Sequence, residues 1–442
     1  MAGNGGGGSN ECTLSTLDTL TEDMHTQRQI IASSYVPYTT SNPLDSEMLE
    51  FTIYSKGEYF DLNKTEMELE FKITRADGTD LQEGDRAGVI NYISNTLFET
   101  VNVSMNNTPV SHSGSNYAQR AILEMLLNYG RDAVESWAQC GLFYKDTPGQ
   151  MNNVDPNPPD VDNAPAPVNE GLRERARWSN GSRIVETRCR LHLDVFNQPK
   201  VLVNGVTLSL RFHRNSDSYV LLSSSPNPAF KLQITKAVMW MKKLTPSKTL
   251  VEKYNAIPLN YPISRCVLRE FQVAQGRASW QPPNFLRGTL PTKFVMGFVR
   301  EQAKIGSYTL NPFNYEHVGV TELVIRIDGN QVDTKAISLD YDNDRYLAGY
   351  HTLWRATNKK NHDEGSVISR EDYKGGYTLY MVDLTPTCCD GQYRDPPKDG
   401  TIEIEFTFAR PTLHVMTLQV YLEFDNNITI NRGKSVVTNF EK

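Results

Sequence analysis

The chain has no long apolar run. None of its segments approaches the roughly 18 apolar residues of a membrane-spanning helix, so we expect no membrane span. Residues 1–10 are glycine-rich and polar, and no apolar run follows them, which does not fit a standard secretory signal. The sequence therefore predicts a protein that is made and folded in a cytosol or nucleus.

Cysteine is scarce, with six residues in 442. Residues so scattered do not form the disulfide framework of a small secreted domain. Cys388 and Cys389 are adjacent, but no CxxC pair or spaced histidines accompany them. Free thiols therefore explain this pair better than a metal or redox site, and the sequence leaves the state of the two thiols open.

Basic residues are in deficit, and no arginine-rich arm is present. The chain has 45 Lys and Arg against 52 Asp and Glu, a formal net charge of -7. This charge balance excludes strong electrostatic binding of nucleic acid. The densest basic cluster comprises Arg173, Arg175 and Arg177. We interpret it as a solvated strand edge.

Catalytic and metal-binding motifs are also missing. The sequence contains neither the GxSxG turn of many hydrolases nor the HExxH pair of zinc proteases. His192 and His213 stand alone on predicted strands, without the HxH pair that a metal-binding jelly roll would use. We therefore expect no catalytic residue, no cofactor, no metal site and no enzymatic activity.

Three aspartates suggest an ion site that their surroundings do not support. Asp340, Asp342 and Asp344 have the spacing that opens a calcium-binding loop, but Arg345 stands where that loop requires glycine. A helical pattern follows them, and acidic groups are favoured at a helix N-terminus. We interpret these aspartates as helix-capping residues.

Strand signals are abundant. Apolar and polar residues alternate in runs such as residues 49–54, 67–74 and 402–408, a period of two that is typical of strands with one buried face. Asp-Gly and Asn-Gly pairs between the runs indicate tight turns. We expect an all-β fold of sandwich type, with helices near residues 118–129 and 346–353.

The order of these elements occurs twice. Each predicted helix follows a β-hairpin, and a gapless alignment of the two hairpins places Asn106 on Gly329, 223 positions apart. A later strand that begins at Val206 matches one that begins at Ile402, 196 positions apart. Repeats of this kind indicate two copies of one β-sandwich. Residues 149–171 are rich in proline and acidic groups, and we expect them to form a surface loop in the first copy.

Five segments, concentrated in the first third of the chain, are specific when taken together. They are residues 11–13 (ECT), 59–62 (YFDL), 73–81 (ITRADGTDL), 126–133 (LLNYGRDA) and 141–149 (GLFYKDTPG). In these segments the chain resembles the major capsid proteins of Polinton (Maverick) elements and the related adintoviruses.

The resemblance implies a double jelly roll, which is two tandem eight-stranded β-sandwiches with short helical excursions. We predict an N-terminal arm at residues 1–44, a first jelly roll at 45–225, a second at 226–425 and a C-terminal tail at 426–442. The division between the two jelly rolls is placed in a stretch rich in serine, proline and asparagine. No catalytic residue carries over from the family.

The resemblance also implies a function. Three chains would form a homotrimeric, pseudo-hexagonal capsomer, and capsomers would tile an icosahedral shell around double-stranded DNA. The expected partners are the chain itself and penton and minor capsid proteins, without sequence-specific DNA binding. The expected location is the virion capsid, assembled in the cytoplasm or nucleus of a host cell. The sequence leaves open the host, the triangulation number and whether the gene belongs to a free virus or an integrated element.

Both chain ends show patterns that favour assembly contacts. Leu14, Leu17 and Leu20 recur at a helix-like spacing of three, and residues 428–430 and 436–437 are strand-like. We expect both ends to lie on the inner, DNA-facing side and to tie capsomers or minor proteins together.

A soluble two-domain jelly-roll protein that binds carbohydrate is the alternative. It would be a monomer with an aromatic platform on one sheet. The aromatic residues, 10% of the chain, are spread over both copies, as two cores would also require.

Overall fold

β-strands dominate the computed structural model of the protein. It describes residues 28–55, 57–112, 116–159, 166–332, 335–357, 359, 365–386, 395–438 and 440. The predictions for Cys388, Cys389 and the leucines at 14–20 fall outside these residues.

The strands of the first half form two four-stranded sheets and a short ribbon. The sheet orders are β1-β10-β3-β7 and β2-β8-β5-β6, and β4 pairs with β9. The strands are β1 Ile30–Thr39, β2 Met48–Tyr54, β3 Tyr59–Arg75, β4 Ala87–Val89, β5 Phe98–Met105, β6 Thr108–His112, β7 Val185–Arg190, β8 Thr207–Arg214, β9 Leu221–Ser223 and β10 Phe230–Pro246.

The strands of the second half also form two sheets. One has the order β11-β20-β14-β18 with β21 on β20, and the other has the order β12-β19-β15-β16 with β13 on β19 and β17 on β15. The strands are β11 Leu259–Val273, β12 Ser279–Trp280, β13 Leu286–Thr289, β14 Lys293–Arg300, β15 Val320–Ile327, β16 Asn330–Gln331, β17 Ile337–Ser338, β18 Tyr380–Asp383, β19 Asp399–Phe408, β20 Met416–Ile430 and β21 Val436–Thr438.

Helices occupy the connections between strands. The α-helices are α1 Ile93–Thr96, α2 Tyr117–Asn128, α3 Arg131–Val134, α4 Glu170–Ser179, α5 Asp217–Val220, α6 Lys248–Ala256, α7 Glu301–Ile305, α8 Leu347–Ala356 and α9 Arg370–Lys374, and the 3-10 helices are Trp137–Gly141, Asn180–Ser182 and Asp194–Phe196. The two predicted helices are confirmed as α2 and α8. Within the described part of the chain, no helix is both long and apolar enough to cross a bilayer.

The two halves repeat one topology, as predicted. Strands β1, β10, β3 and β7 occupy the places that β11, β20, β14 and β18 occupy in the second half. Likewise β2, β8, β5 and β6 correspond to β13, β19, β15 and β16. Each half is therefore built on two antiparallel sheets that share four corresponding strands each, and the sheets of the second half carry additional strands. Paired antiparallel sheets of this kind are the architecture of a jelly roll. We call the two repeats unit 1 (β1–β10) and unit 2 (β11–β21).

The division between the units lies later in the chain than residue 225. Strand β10 begins at Phe230 but pairs with β3 of unit 1, from Phe230 opposite Arg75 to Leu244 opposite Tyr59. Helix α6 follows it, and unit 2 begins with β11. The predicted boundary failed because a serine- and proline-rich stretch also serves as a loop between two strands of one sandwich.

The predicted arm and tail also contribute strands to the sheets. Strand β1 lies within the predicted arm, and its register places Ile30 opposite Pro246. In the predicted tail, β20 continues to Ile430 and β21 folds back on it, with Val436 opposite Ile430. The strand-like end at residues 436–437 is therefore paired within its own chain.

The repeat alignment was one residue out in the hairpins. Met105 pairs with Thr108 across one turn and Ile327 pairs with Asn330 across the other, so Asn107, not Asn106, matches Gly329. The same register sets Phe212 opposite Val101 and Phe406 opposite Leu323, a separation of 194 for the later strands. A one-residue slip exchanges the buried and exposed faces of a strand. An alignment chosen only for identical residues does not detect such a slip.

The proline-rich segment at residues 149–171 is only partly a surface loop. Met151 and Val154 are buried, and Asn169 is fully buried. The Asn169 side chain accepts a hydrogen bond from the backbone of Leu172 and so caps α4. Asn153 donates to the carbonyl of Pro167. The ends of the segment therefore belong to the core, and the ends of its middle part are close together.

The aspartates near α8 do not cap it. The residue before the helix is Tyr346, and no side chain provides a capping hydrogen bond. Instead Asp340 accepts from the backbone and side chain of Asn343 and pairs with Arg345. Asp344 pairs with Lys374 of α9. They stabilise a turn and its contact with a neighbouring helix.

Both described chain ends lie at one end of the molecule. Ser247 donates its backbone N–H to the carbonyl of Gln29 just before α6. Strand β11, which follows α6, begins with Leu259 opposite Ile430, where β21 is attached. We call this part the terminal end and define it by Gln29–Ile31, α6 and β21.

Candidate functional site: the junction between the two units

Charged side chains are buried where unit 1 meets unit 2. Strand and helix patterns do not identify them, because one helix can also carry exposed charged residues, such as Arg173 and Arg177 beside Arg175 on α4. They form two clusters, and both are bonded to the other unit. Burial of unpaired charge is costly, so each cluster must be matched internally.

The first cluster is centred on Arg120 of α2. Its side chain is 3% exposed, and its guanidinium contacts Asp194 at 2.6 Å and Glu124 at 2.8 Å. Asp194 accepts from the backbone N–H of Cys266 in β11, at 3.3 Å. Glu124 accepts from the Tyr421 hydroxyl of β20, at 3.4 Å. This ion cluster therefore bonds α2 of unit 1 to two strands of unit 2.

A histidine extends the first cluster into unit 1. His192 Nδ1 lies 2.7 Å from Glu124, and Nε2 lies 3.0 Å from the Tyr92 hydroxyl. Burial lowers the pKa of His192, although Glu124 opposes the change. Burial alone would raise the pKa of Glu124, but Arg120 and the hydrogen bond from His192 hold it well below its usual range. The carboxylate is therefore ionised and the imidazole neutral near pH 7.

The second cluster is centred on Arg175, which the sequence analysis placed on an exposed strand edge. That interpretation is wrong, because Arg175 lies on α4 and its side chain is 0% exposed. It contacts Asp146 at 2.7 Å and donates to the carbonyls of Val89 and Tyr144. The helix-start signal of Asn169 followed by Glu170 could have identified α4.

Asp146 carries the second cluster into unit 2. Its carboxylate accepts from the side-chain amide of Asn311 at 2.9 Å, and its carbonyl accepts from the Tyr377 hydroxyl at 2.7 Å. Beside it, Lys145 pairs with Asp372 of α9. Burial raises the pKa of Tyr377 well above its ordinary value, so this hydroxyl stays a donor. The cluster thus joins the units through several directed bonds.

The junction also contains a polar crevice of about 810 Å³. Its walls include Glu124, Arg190, Lys293 and Glu423. Burial raises the pKa of Glu423, while Lys293 acts in the opposite direction. Lys293 and Glu423 are partners in the register of β14 and β20, so cationic and acidic residues line the same crevice.

The remaining candidate residues do not converge. His192 belongs to the first cluster, while the backbone of His213 pairs with Met48 at the start of β2. Among the described residues, no three His, Cys, Asp or Glu side chains lie together as metal ligands. The described groups of the junction are bonded to one another, and this arrangement fixes two sandwiches in one relative orientation.

Comparisons with known proteins agree with this topology over nearly the whole chain. A chain in the cryo-EM structure of the Sputnik virophage matches with a TM-score of 0.62 and 13% identity, covering 98% of this chain and 94% of that one. A chain of the quasi-atomic PBCV-1 virus capsid matches with a TM-score of 0.59 and 10% identity, covering 96% and 100%. The fold is a double jelly roll. The mavirus major capsid protein shares this double jelly roll, with a TM-score of 0.55 and 10% identity over 97% of this chain and 93% of that protein.

Comparison by sequence covers less of the chain than comparison by structure. An uncharacterized protein of Caenorhabditis elegans is 22% identical over 355 residues, which cover 77% of this chain and 79% of that protein. No protein-family model matches the sequence.

Proposed function

We propose that this double jelly roll is the major capsid protein of an icosahedral, double-stranded DNA virus or virus-like element. The observation that carries the proposal is the repeated strand order of the two units within one chain. Three such chains present six similar sandwiches, which can pack as a hexagon. The resemblance to Polinton capsid proteins and the likeness to capsid chains of similar length support the same role.

The junction gives the proposed subunit its rigidity. A capsomer tiles a shell only if its six sandwiches hold fixed positions, and the ion clusters at Arg120 and Arg175 fix the relative orientation of two of them. The proposed role is therefore structural, with no catalytic step. Double-stranded DNA would be enclosed without a strong electrostatic grip, as the net charge of -7 supports.

The partners follow from this role. We propose that the chain forms a homotrimer and then a lattice with penton and minor capsid proteins, inside the cytoplasm or nucleus of a host cell. The terminal end would face the DNA, which would place both described chain ends beneath the shell.

Mass measurement in solution and negative-stain electron microscopy test the proposal. We expect a stable trimer of about 150 kDa, three times the 50.0 kDa chain, because obligate subunits commonly bury roughly 2,000 Å² or more. Hexagonal capsomers or shells should be visible by microscopy.

A monomer at micromolar concentration that forms no particle in any buffer would contradict the capsid role. Binding of that monomer to a glycan array would then favour the carbohydrate-binding alternative.

A further inference from the structure

Helix α6 exposes a basic surface at the terminal end. None of its residues is buried, and only Leu250, Val251 and Tyr254 are half-buried on the underlying sheet. Lys248 and Lys253 are exposed on the helix. Its outer face is therefore left to solvent or to a partner.

Two further cations enlarge this surface. Lys434, in the turn between β20 and β21, donates to the side chain of Asn255 on α6 at 3.3 Å, and Arg432 is exposed in the same turn. Among the described residues, neither these two cations nor the lysines of α6 form an ion pair with a carboxylate. Glu252 is the acidic residue of α6 itself. The basic surface, defined as Lys248, Lys253, Arg432 and Lys434, therefore carries an excess of positive charge.

Apolar side chains are exposed at the same end. Ile257, directly after α6, is 55% exposed, Ile31 of β1 is 70% exposed, and Val437 of β21 is 44% exposed. A surface that combines unpaired cations with exposed isoleucine and valine fits an acidic partner that also has an apolar face.

The chain itself contains such a partner. Residues 1–27 include Glu11, Asp18, Glu22 and Asp23 and no Lys or Arg. Leu14, Leu17 and Leu20 recur at a spacing of three within the same stretch. Both the charge and the apolar pattern complement the surface around α6.

The path of the chain brings this stretch to α6. Gln29 accepts a hydrogen bond from Ser247, the N-cap of α6, at 2.7 Å, so the described chain starts beside the helix. Eight residues of extended chain reach roughly 26 Å, whereas the nine residues of α6 span only about 13 Å. The stretch from Leu20 to Arg28 is therefore long enough to reach any point on the helix.

We propose that the acidic segment Glu11–Asp23 docks on the basic surface around α6 of its own chain. Electrostatic attraction brings the segment to the four cations, and the three leucines cover the exposed apolar side chains. The inference goes beyond the capsid role and does not depend on it, because the contact forms within a single chain.

Hydrogen–deuterium exchange of the full chain, read by mass spectrometry, tests the proposal. An isolated short helix is marginal in water, so a synthetic peptide of residues 9–27 supplies the unprotected rate. Docking should slow exchange in residues 11–23 about tenfold relative to this peptide, which corresponds to ~1.4 kcal/mol. The protection should not depend on protein concentration.

Two variants of the full chain should remove the protection. The charge reversals Lys248→Glu and Lys253→Glu together, or serine at Leu14, Leu17 and Leu20 together, should speed exchange in residues 11–23 to the peptide rate. The reversals Lys231→Glu and Arg277→Glu form the matched control. Both residues are exposed, and they lie near the ends of β10 and β11 that are farther along each strand from α6. This control should leave the exchange unchanged.

A charge swap separates lost docking from a damaged helix. Adding Glu22→Lys and Asp23→Lys to the Lys248→Glu and Lys253→Glu variant should restore protection. Failure of this rescue would overturn the pairing of the two surfaces.

Three other outcomes would overturn the proposal. One is exchange of residues 11–23 at the peptide rate in the unaltered chain, and another is protection that appears only as concentration rises, which would assign the segment to a second copy. The third concerns hydrogen exchange in α6. If the leucine variant leaves this exchange unchanged while phosphatidylserine vesicles slow it, the surface would be assigned to a membrane.

Discussion

At the scale of single residues, Arg175 shows how much a buried charge depends on its partner. Its guanidinium contacts one carboxylate and two backbone carbonyls in a fully buried site. Arg175→Met would leave the buried Asp146 side chain without its cationic partner, and breaking a buried pair commonly costs about 3–5 kcal/mol. We expect the free energy of unfolding, measured by urea denaturation, to fall by about that amount.

The neighbouring arginine provides the control for this prediction. Arg173 lies on the same helix, is 47% exposed and pairs with Glu170 on the surface. Arg173→Met should change the free energy of unfolding by about 0.5 kcal/mol or less. The double change Arg175→Met and Asp146→Asn should cost less than Arg175→Met alone. Equal effects of the two single arginine variants would show that Arg175 is not the centre of a buried cluster.

At the scale of elements, residues 149–171 divide into structural ends and a dispensable middle. Replacing residues 157–166 with a short Gly/Ser linker should leave the fold and oligomer intact, because Asn153 and Pro167 already hold the two ends together and loop length has a small effect on stability. Replacing all of 149–171 should unfold unit 1, since Met151, Val154 and Asn169 would be lost. Circular dichroism and mass measurement distinguish the outcomes. A folded trimer after the larger replacement would contradict this division.

At the scale of the whole molecule, the crevice between the units makes stability depend on pH. Burial raises the pKa of Glu423 in the folded chain above its ordinary value of 4.5, so the folded state favours the protonated carboxyl. Below the unfolded pKa the group is protonated in both states. As pH rises from the unfolded pKa to the raised folded pKa, the unfolded chain releases this proton while the folded chain keeps it, so the folded chain loses stability.

Glu423→Gln removes this titration. The variant should gain stability relative to the unaltered chain as pH rises from 4.5 upward, and the gain should level off above the folded pKa of Glu423. Thermal unfolding across a pH series measures the difference. Glu403→Gln, on the exposed face of β19, is the control and should show a smaller change. A difference for Glu423→Gln that stays constant with pH would contradict the assignment.

The sequence by itself determined the class of fold and its duplication. Alternating apolar residues in runs such as 67–74 specify strands with one buried face, and a helix in each repeat follows from its 3.6-residue pattern. These signals depend only on neighbouring residues, so they can be recognised without knowledge of the fold. The repeated order of hairpin, helix and late strand could therefore be identified from the sequence alone.

Only the tertiary structure decided which strands pair and which charges are buried. Strand β10 belongs to unit 1 because it pairs with β3, and no local signal distinguishes a loop within a sandwich from a linker between two. Arg173 and Arg175 are two residues apart, yet one is 47% exposed and the other is 0% exposed. Their environments differ because the helix turns one toward Asp146, 29 residues earlier, and burial of a charge is decided by such distant partners.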